Sequence, residues 1–171
     1  ARPYDDFPDY AVATADDLDE IVEELRATGA EAVAVRADVS DEDQVTAAIA
    51  EVGERLGRVE LLANVAGGSG AGMGAAPLLG LTKSEFQRVL DVNLVGTWLV
   101  SRACAEVMIE AGTGGRIVNT SSQAGKVGWP MIGAYSAAKA GVINLTQVMA
   151  KEWAASQILV NAVCPGTVDT D

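Results

Sequence analysis

The feature that most constrains this chain is its alternation of two hydrophobic periods, in which amphipathic stretches are followed by short continuous apolar runs. Leu18, Ile21, Val22 and Leu25 follow the i, i+3, i+4, i+7 rule, with Thr14 and Asp17 as an N-cap pair and Gly29 as the stop. Residues 32–36 then read as a strand. Ser40 and Asp43 open a second helix whose stripe is Val45, Ala48, Ile49, Val52 and Leu56, closed by Gly57. The uninterrupted run 59–65 suits a parallel strand covered on both faces. Thr82 and Glu85 form a capping box before a long helix carrying Phe86, Val89, Leu90, Leu94 and Trp98. Residues 116–120 make a strand, 133–155 a helix and 158–163 a strand. This order predicts an α/β fold built on a doubly wound parallel sheet of the Rossmann type. No repeat or linker divides the chain. With 171 residues, 49% of them hydrophobic, a single domain over 1–171 is expected.

Charge and composition exclude several functions. Twenty-four acidic residues against 12 basic ones give a net charge of −12, which repels phosphate backbones and anionic headgroups. Nucleic acid and membrane are therefore not expected partners. Histidine is absent, which removes Ser-His-Asp and Cys-His nucleophiles and His-ligated zinc, so no metal site is expected. Cys104 and Cys164 lie in apolar surroundings and read as buried thiols of a reducing compartment. The start of the chain is acidic where a signal peptide is basic, and no apolar run reaches the roughly 18 residues of a membrane span. A soluble, cytoplasmic protein is expected.

The candidate chemistry begins at Tyr135-Ser136-Ala137-Ala138-Lys139, which sets a phenol and an ammonium one helical turn apart on the same face. A cation ~4 Å from a phenolate at an effective dielectric of ~20 stabilises it by ~4 kcal/mol, enough to make a phenol useful in proton transfer. The spacing alone is weak, since a surface helix pair also produces it. Ser122, in Asn119-Thr120-Ser121-Ser122-Gln123-Ala124-Gly125, stands thirteen residues before Tyr135 at the end of an expected strand, where open α/β sheets bind ligands.

Tyr-x-x-x-Lys with a serine thirteen earlier resembles the short-chain dehydrogenase/reductase family. Other matches occur in the family's order. Asn64-Val65-Ala66-Gly67 resembles its Asn-Asn-Ala-Gly motif, with valine at the second position. Asp38-Val39 is similar to the pair that holds the adenine ring, and Asn93 corresponds to the helix asparagine of the catalytic tetrad. Pro165-Gly166-Thr167-Val168 resembles the segment that contacts the nicotinamide carboxamide, with Thr170 beside it. Taken singly, each also has a structural explanation: Asn93 as a polar residue at a helix kink, Asn64 at a strand end, and Ser122 and Asp38 as turn residues.

The resemblance implies an NAD(P)-dependent oxidoreductase interconverting a secondary alcohol and a ketone. Lys139 would hold the ribose hydroxyls, Tyr135 would exchange the proton, Ser122 would bind the substrate oxygen, and Asn93 would support a water relay to Lys139. The cofactor-binding residues would be Asp38, Val39, Asn64, Ala66, Gly67, Tyr135, Lys139, Pro165, Gly166, Val168 and Thr170. The helices over 82–112 and 133–155 match the pair through which family members dimerise and then form homotetramers. Residues 10–18 resemble the insertion of carveol-dehydrogenase-like, mycofactocin-associated members, which favours NAD over NADP. An epimerase or dehydratase within the wider family, and a catalytically silent binding scaffold, are the alternatives.

Three further expectations follow. The family's Thr-Gly-x-x-x-Gly-x-Gly loop, its first two strands and its C-terminal substrate cover have no counterpart, so the chain is expected to belong to a protein about a hundred residues longer. Gly70-Ala71-Gly72-Met73-Gly74-Ala75 has the form G-x-G-x-x-A, but Pro77 and Gly80 interrupt the helix such a loop must open, and the stretch reads as a loop beside the site. Met73, Gln123, Trp129 and Met131 are expected to line an apolar pocket for a hydrophobic alcohol or ketone.

Overall fold

The computed structural model describes residues 15–70 and 73–168. Its core is a parallel sheet of β1 (Leu61–Asn64), β2 (Gly115–Thr120) and β3 (Ile158–Val163) in that order, as the alternating pattern predicts. Helix α1 (Ala15–Ala27) precedes α2 (Glu42–Leu56). A long helical stretch, made of α3 (Lys83–Leu90), a π-helical turn over Asp91–Val95 and α4 (Gly96–Ala111), crosses from β1 to β2. Helix α5 (Gly133–Glu152) joins β2 to β3.

Strand parity decides which side chains meet the helices. Gly115, Ile117 and Asn119 of β2 and Ile158 and Val160 of β3 are buried, while Arg116, Leu159 and Asn161 are exposed. The buried set packs with Cys104, Ala105 and Met108 of α4 and Met149 of α5, and Ile49 of α2 joins its margin. Gly115 is required at this contact because a Cβ there would lie 2.3 Å from the Met108 sulfur. The continuous run around β1 predicts cover on both faces. Helices α4 and α5 supply it on one; Leu61 and Leu159 on the other are 64% and 56% exposed.

Local signals set several helix ends. The Thr82–Glu85 capping box is present in both directions, Thr82 Oγ1 accepting from Glu85 N and Glu85 Oε2 accepting from Thr82 N at 2.8 Å. At α2 the cap is Asp41, one residue after the expected Ser40; its carboxylate accepts from Gln44 N at 3.1 Å. Aspartate takes this position because Ser40 is already bound to Asp38 through both its amide and its hydroxyl. The expected cap at Thr14 and the first five residues, 10–14, of the expected insertion over 10–18 lie outside the described residues.

The expected strand over 32–36 does not form. Its apolar residues are half-buried, but no strand lies beside them among the described residues, and an extended segment with no neighbour has no ladder to join. The expected long helix is interrupted by its π turn, and the last helix stops at Glu152 with a short 3₁₀ turn over Ala154–Ser156. Lys83–Ala111 is also long and apolar enough to cross a bilayer, yet half of its most apolar window is buried inside the fold. The helices expected to pair copies of the chain, α4 and α5, leave between them a groove lined by Leu94, Trp98, Leu145 and Val148. Both cysteines are free, and burial pushes the Cys104 thiol up to about 11, which makes it inert.

Candidate active site

Because the strands are parallel and in register, Asn64, Asn119 and Ala162 stand level, and the segments leaving the three carboxyl ends run side by side. These segments carry Ala66, Gly67, Ser122, Pro165, Gly166 and Val168 of the expected site residues.

After β2 the two serines diverge. Ser121 is buried, and its hydroxyl donates to the Lys139 carbonyl at 2.7 Å, tying the strand end to α5. Ser122 faces the cleft, and its Oγ accepts from Ala124 N at 3.1 Å, capping the 3₁₀ turn Gln123–Gly125. That turn lies directly on α5, for a Cβ on Gly125 would be 2.7 Å from the Lys139 carbonyl. The Gln123 amide donates to Pro165 O at 2.8 Å, which joins the turn to the segment after β3.

Tyr135 and Lys139 share one face of α5, as their spacing predicts, with the Lys139 Nζ 5.5 Å from the centre of the Tyr135 ring. Lys139 is only 3% exposed, and its Nζ donates to Thr120 O at 2.8 Å. Burial pushes the ammonium pKa down, since a buried cation loses its hydration. Above this lysine, Ser122 and Tyr135 wall a cleft of about 520 Å³ together with Ser69, Gln123, Trp129 and Thr167.

Asn93 sits in the π turn, fully buried. Its Nδ2 donates to Gly68 O at 3.0 Å and Val89 O at 3.1 Å, and its Oδ1 accepts from Gly68 N at 3.0 Å. The amide thus grips the loop after β1 as a neighbouring strand would. Both of its hydrogens are thereby engaged. Gly67 fits only without a side chain: its φ is +138°, and a Cβ would lie 2.5 Å from Asn93 Oδ1 and 3.5 Å from Lys139 Nζ.

Asn64 faces away from the cleft. Its Nδ2 donates to Ser101 Oγ at 2.8 Å and Asn119 Oδ1 at 2.9 Å, and Asn119 in turn donates to Thr146 Oγ1 at 3.0 Å. This buried chain of amides and hydroxyls braces β1 and β2 against α4 and α5. The Asn64 side chain is thus engaged within the fold, while Ala66 and Gly67 of the same motif are exposed.

Asp38 is exposed before α2, and its Oδ1 accepts from Ser40 Oγ at 2.6 Å and Ser40 N at 2.9 Å, bonds that hold its carboxyl below the usual range. Val39 packs against α4, where a Cβ on Gly96 would meet its Cγ2 at 2.8 Å. Pro165, Gly166 and Val168 are exposed beside the cleft; Thr170 lies outside the described residues.

Of the four expected pocket residues, Gln123 and Trp129 line the cleft, while Met73 and Met131 do not. The Met131 carbonyl instead accepts from Ala76 N at 2.8 Å. No helix opens at Gly70–Ala75: Gly70 O accepts from Met73 N and Ala75 N, closing a turn, and Ala71 and Gly72 lie outside the described residues. Ser69, Ser101 and Thr146 were not expected, and Thr167 was expected only as part of the segment after the last strand. Strand parity could have placed Asn119 inward, but nothing local marks the helix residues that meet it. No cluster of metal-ligating side chains occurs among the described residues.

Comparison with known proteins agrees with this architecture. The short chain dehydrogenase family model matches residues 10–171. A 3-oxoacyl-[acyl-carrier-protein] reductase of Synechocystis sp. is 40% identical over 90% of this chain and 60% of its own length. Sorbitol dehydrogenase of Cereibacter sphaeroides is 38% identical over 86% of this chain and 58% of its own. Carveol dehydrogenase from Mycobacterium avium, solved in complex with NAD, superposes with a TM-score of 0.88 at 33% identity, over 95% of this chain and 57% of its own. The chain spans about three fifths of the length of these relatives. Parallel sheet, ordered motifs and family match agree: this chain belongs to the short-chain dehydrogenase family.

Proposed function

We propose that the protein is an oxidoreductase that interconverts a secondary alcohol and a ketone with NAD. The observation that carries this reading is the placement of Ser122 and Tyr135 on one cleft wall with the buried Lys139 cation beneath the Tyr135 ring.

The residues present fit the cofactor. At the strand ends Gly67, Gly68 and Gly166 present bare backbone; Gly67 and Gly166 are packed against the Asn93 and Gln123 side chains, and the space beside Gly68 is open, since a Cβ there would meet nothing. Asp38 and Val39 would hold the adenine end, the Ala66–Gly67 backbone and Lys139 the ribose region, and Pro165, Gly166 and Val168 the carboxamide. When bound, NAD supplies the hydride acceptor for the alcohol carbon. The chain's own residues handle the oxygen. Ser122 Oγ donates to the substrate oxygen, Tyr135 takes the hydroxyl proton during oxidation and returns it during reduction, and the Lys139 charge stabilises the phenolate form between those steps. Asn93 acts at one remove, by fixing through Gly68 the loop on which the cofactor would rest.

Relatives named as a sorbitol dehydrogenase, and as a carveol dehydrogenase solved with NAD, support the alcohol and the cofactor. The free thiols fit the reducing conditions of the cytoplasm.

The test is Tyr135→Phe in the full-length protein, followed at the absorbance of the reduced nicotinamide with a panel of secondary alcohols. Turnover is expected to fall by about 10²–10⁴ with NAD binding retained. Undiminished turnover would overturn the assignment, and no turnover of any alcohol or ketone by the unmodified protein would favour a silent scaffold.

A further inference from the structure

The strap of residues 38–41 that leads into α2 is gripped from two sides. Asp38 makes four hydrogen bonds. Its Oδ1 accepts from the amide and the hydroxyl of Ser40, its carbonyl accepts from Asp41 N at 3.0 Å, and its amide donates to Gln44 Oε1 at 3.1 Å. The first three bonds close within the strap and could turn with it as a unit. The fourth ties that unit to the helix. Gln44 uses both ends of its side chain for this, since Nε2 donates to Asp41 Oδ2 at 2.8 Å while Oε1 holds the Asp38 amide. Capping of α2 does not require this bridge, because the Asp41 carboxylate already accepts from Gln44 N. The next residue, Val45, is 3% exposed and packs with Leu99 and Ala103 of α4, which fixes this turn of α2 in the core. From the other side the strap leans on α4 itself, where a Cβ on Gly96 would lie 2.8 Å from Val39 Cγ2 and 3.1 Å from Val39 O.

Of the four amides in the strap, those of Asp38, Ser40 and Asp41 are engaged, and that of Val39 has no partner among the described residues. The grip therefore fixes Asp38 and Val39 without using up their capacity to bind. We infer that Gln44 is a positioning residue for the cofactor, holding Asp38 and Val39 in the arrangement that receives the adenine end of NAD. This rests on the oxidoreductase reading, which sets the adenine end at these two residues, and it adds one that touches neither the adenine nor the reacting atoms. Without the Gln44 amide the strap samples other orientations, and affinity falls by the fraction of time it spends in the receiving one. One hydrogen bond of this kind is worth roughly three- to tenfold in such an equilibrium. The residues proposed for the nicotinamide end stand on α5 and after β3, so the loss is confined to the adenine end.

The experiment titrates NAD, adenosine monophosphate and nicotinamide mononucleotide separately into the full-length protein by calorimetry, and measures kcat and KM for NAD with a secondary alcohol that the protein turns over. The natural protein is compared with Gln44→Met, which keeps the side chain's length but can neither accept from Asp38 nor donate to Asp41. Dissociation constants for NAD and adenosine monophosphate are expected to rise about three- to tenfold, and KM for NAD with them. The constant for nicotinamide mononucleotide, and kcat at saturating NAD, are expected to stay within about twofold. Should the methionine variant not fold, Gln44→Asn, one methylene shorter, carries the same expectation. Unchanged binding of adenosine monophosphate, or a loss that it shares equally with nicotinamide mononucleotide, would show that Gln44 serves only the end of α2 and would overturn the inference while leaving the oxidoreductase reading intact. A natural protein that binds neither NAD nor adenosine monophosphate and turns over no alcohol would overturn both.

Discussion

Two polar regions meet at the end of β2 and use the same residue types in opposite ways. Below the strand end, Asn64, Ser101, Asn119 and Thr146 satisfy one another in a buried chain. Above it, Ser122, Tyr135 and Gln123 face a cleft, and the Gln123 amide has no partner among the described residues. Burial decides which is which. A buried amide must be paired within the protein, because leaving it unpaired costs ~1–3 kcal/mol. An exposed one can wait for a ligand. Polar side chains on the sheet therefore mark function only where their hydrogen bonds remain open.

The contrast can be broken from the buried side first. Asn119→Ala removes the central link, takes one partner each from the Asn64 amide, the Ser101 hydroxyl and the Thr146 hydroxyl, and leaves a cavity between strand and helices, so unfolding in denaturant should show a loss of ~3 kcal/mol. A loss below about 1 kcal/mol would mean that this chain is no stiffer than the cleft above it.

Gly67 lies where the regions touch. Gly67→Ala combines a positive φ with a Cβ 2.5 Å from Asn93 Oδ1, and should cost ~2 kcal/mol while weakening NAD binding, measured by calorimetry. Normal affinity with reduced stability would separate the loop's structural role from its role as a cradle.

Lys139 sharpens the comparison with the smallest effect, since it is buried like the lower region yet serves the upper one. Its pKa is lowered from 10.5 by burial, so the folded state gives up this proton before the unfolded state does. The cost of the buried charge is present in full below the lowered value and fades as pH rises from there towards 10.5. The stability of the natural protein relative to Lys139→Met should therefore increase between pH 7 and pH 10 in parallel thermal melts. A difference independent of pH would mean that folding leaves the Lys139 pKa where it stands in the unfolded chain, so that burial does not penalise the charge.

Much of this arrangement is legible in the sequence where the cause is local. The Thr82–Glu85 cap and the Tyr135–Lys139 spacing depend on residues within one turn of each other, and both stand as read. What escaped depends on distant partners. Residues 32–36 have a strand's composition but no neighbour to pair with among the described residues. Asn64 belongs to a motif that suggests a ligand, yet its direction is set by Ser101 and Asn119, far along the chain. Met131 is apolar and close in sequence to the cleft, but its positive φ of 71° belongs to a turn whose carbonyl holds Ala76 instead.

The π turn over Asp91–Val95 has a consequence for how this helix is written. A wider turn takes up one extra residue, which shifts the angular phase of everything after it by about 100°. Lys83–Ala111 is thus one rod with two independent registers: the first half is phased to present Val89 to the loop after β1, the second to present Ser101 and Met108 to the sheet. Each half can change its sequence to suit its own neighbour without rotating the other.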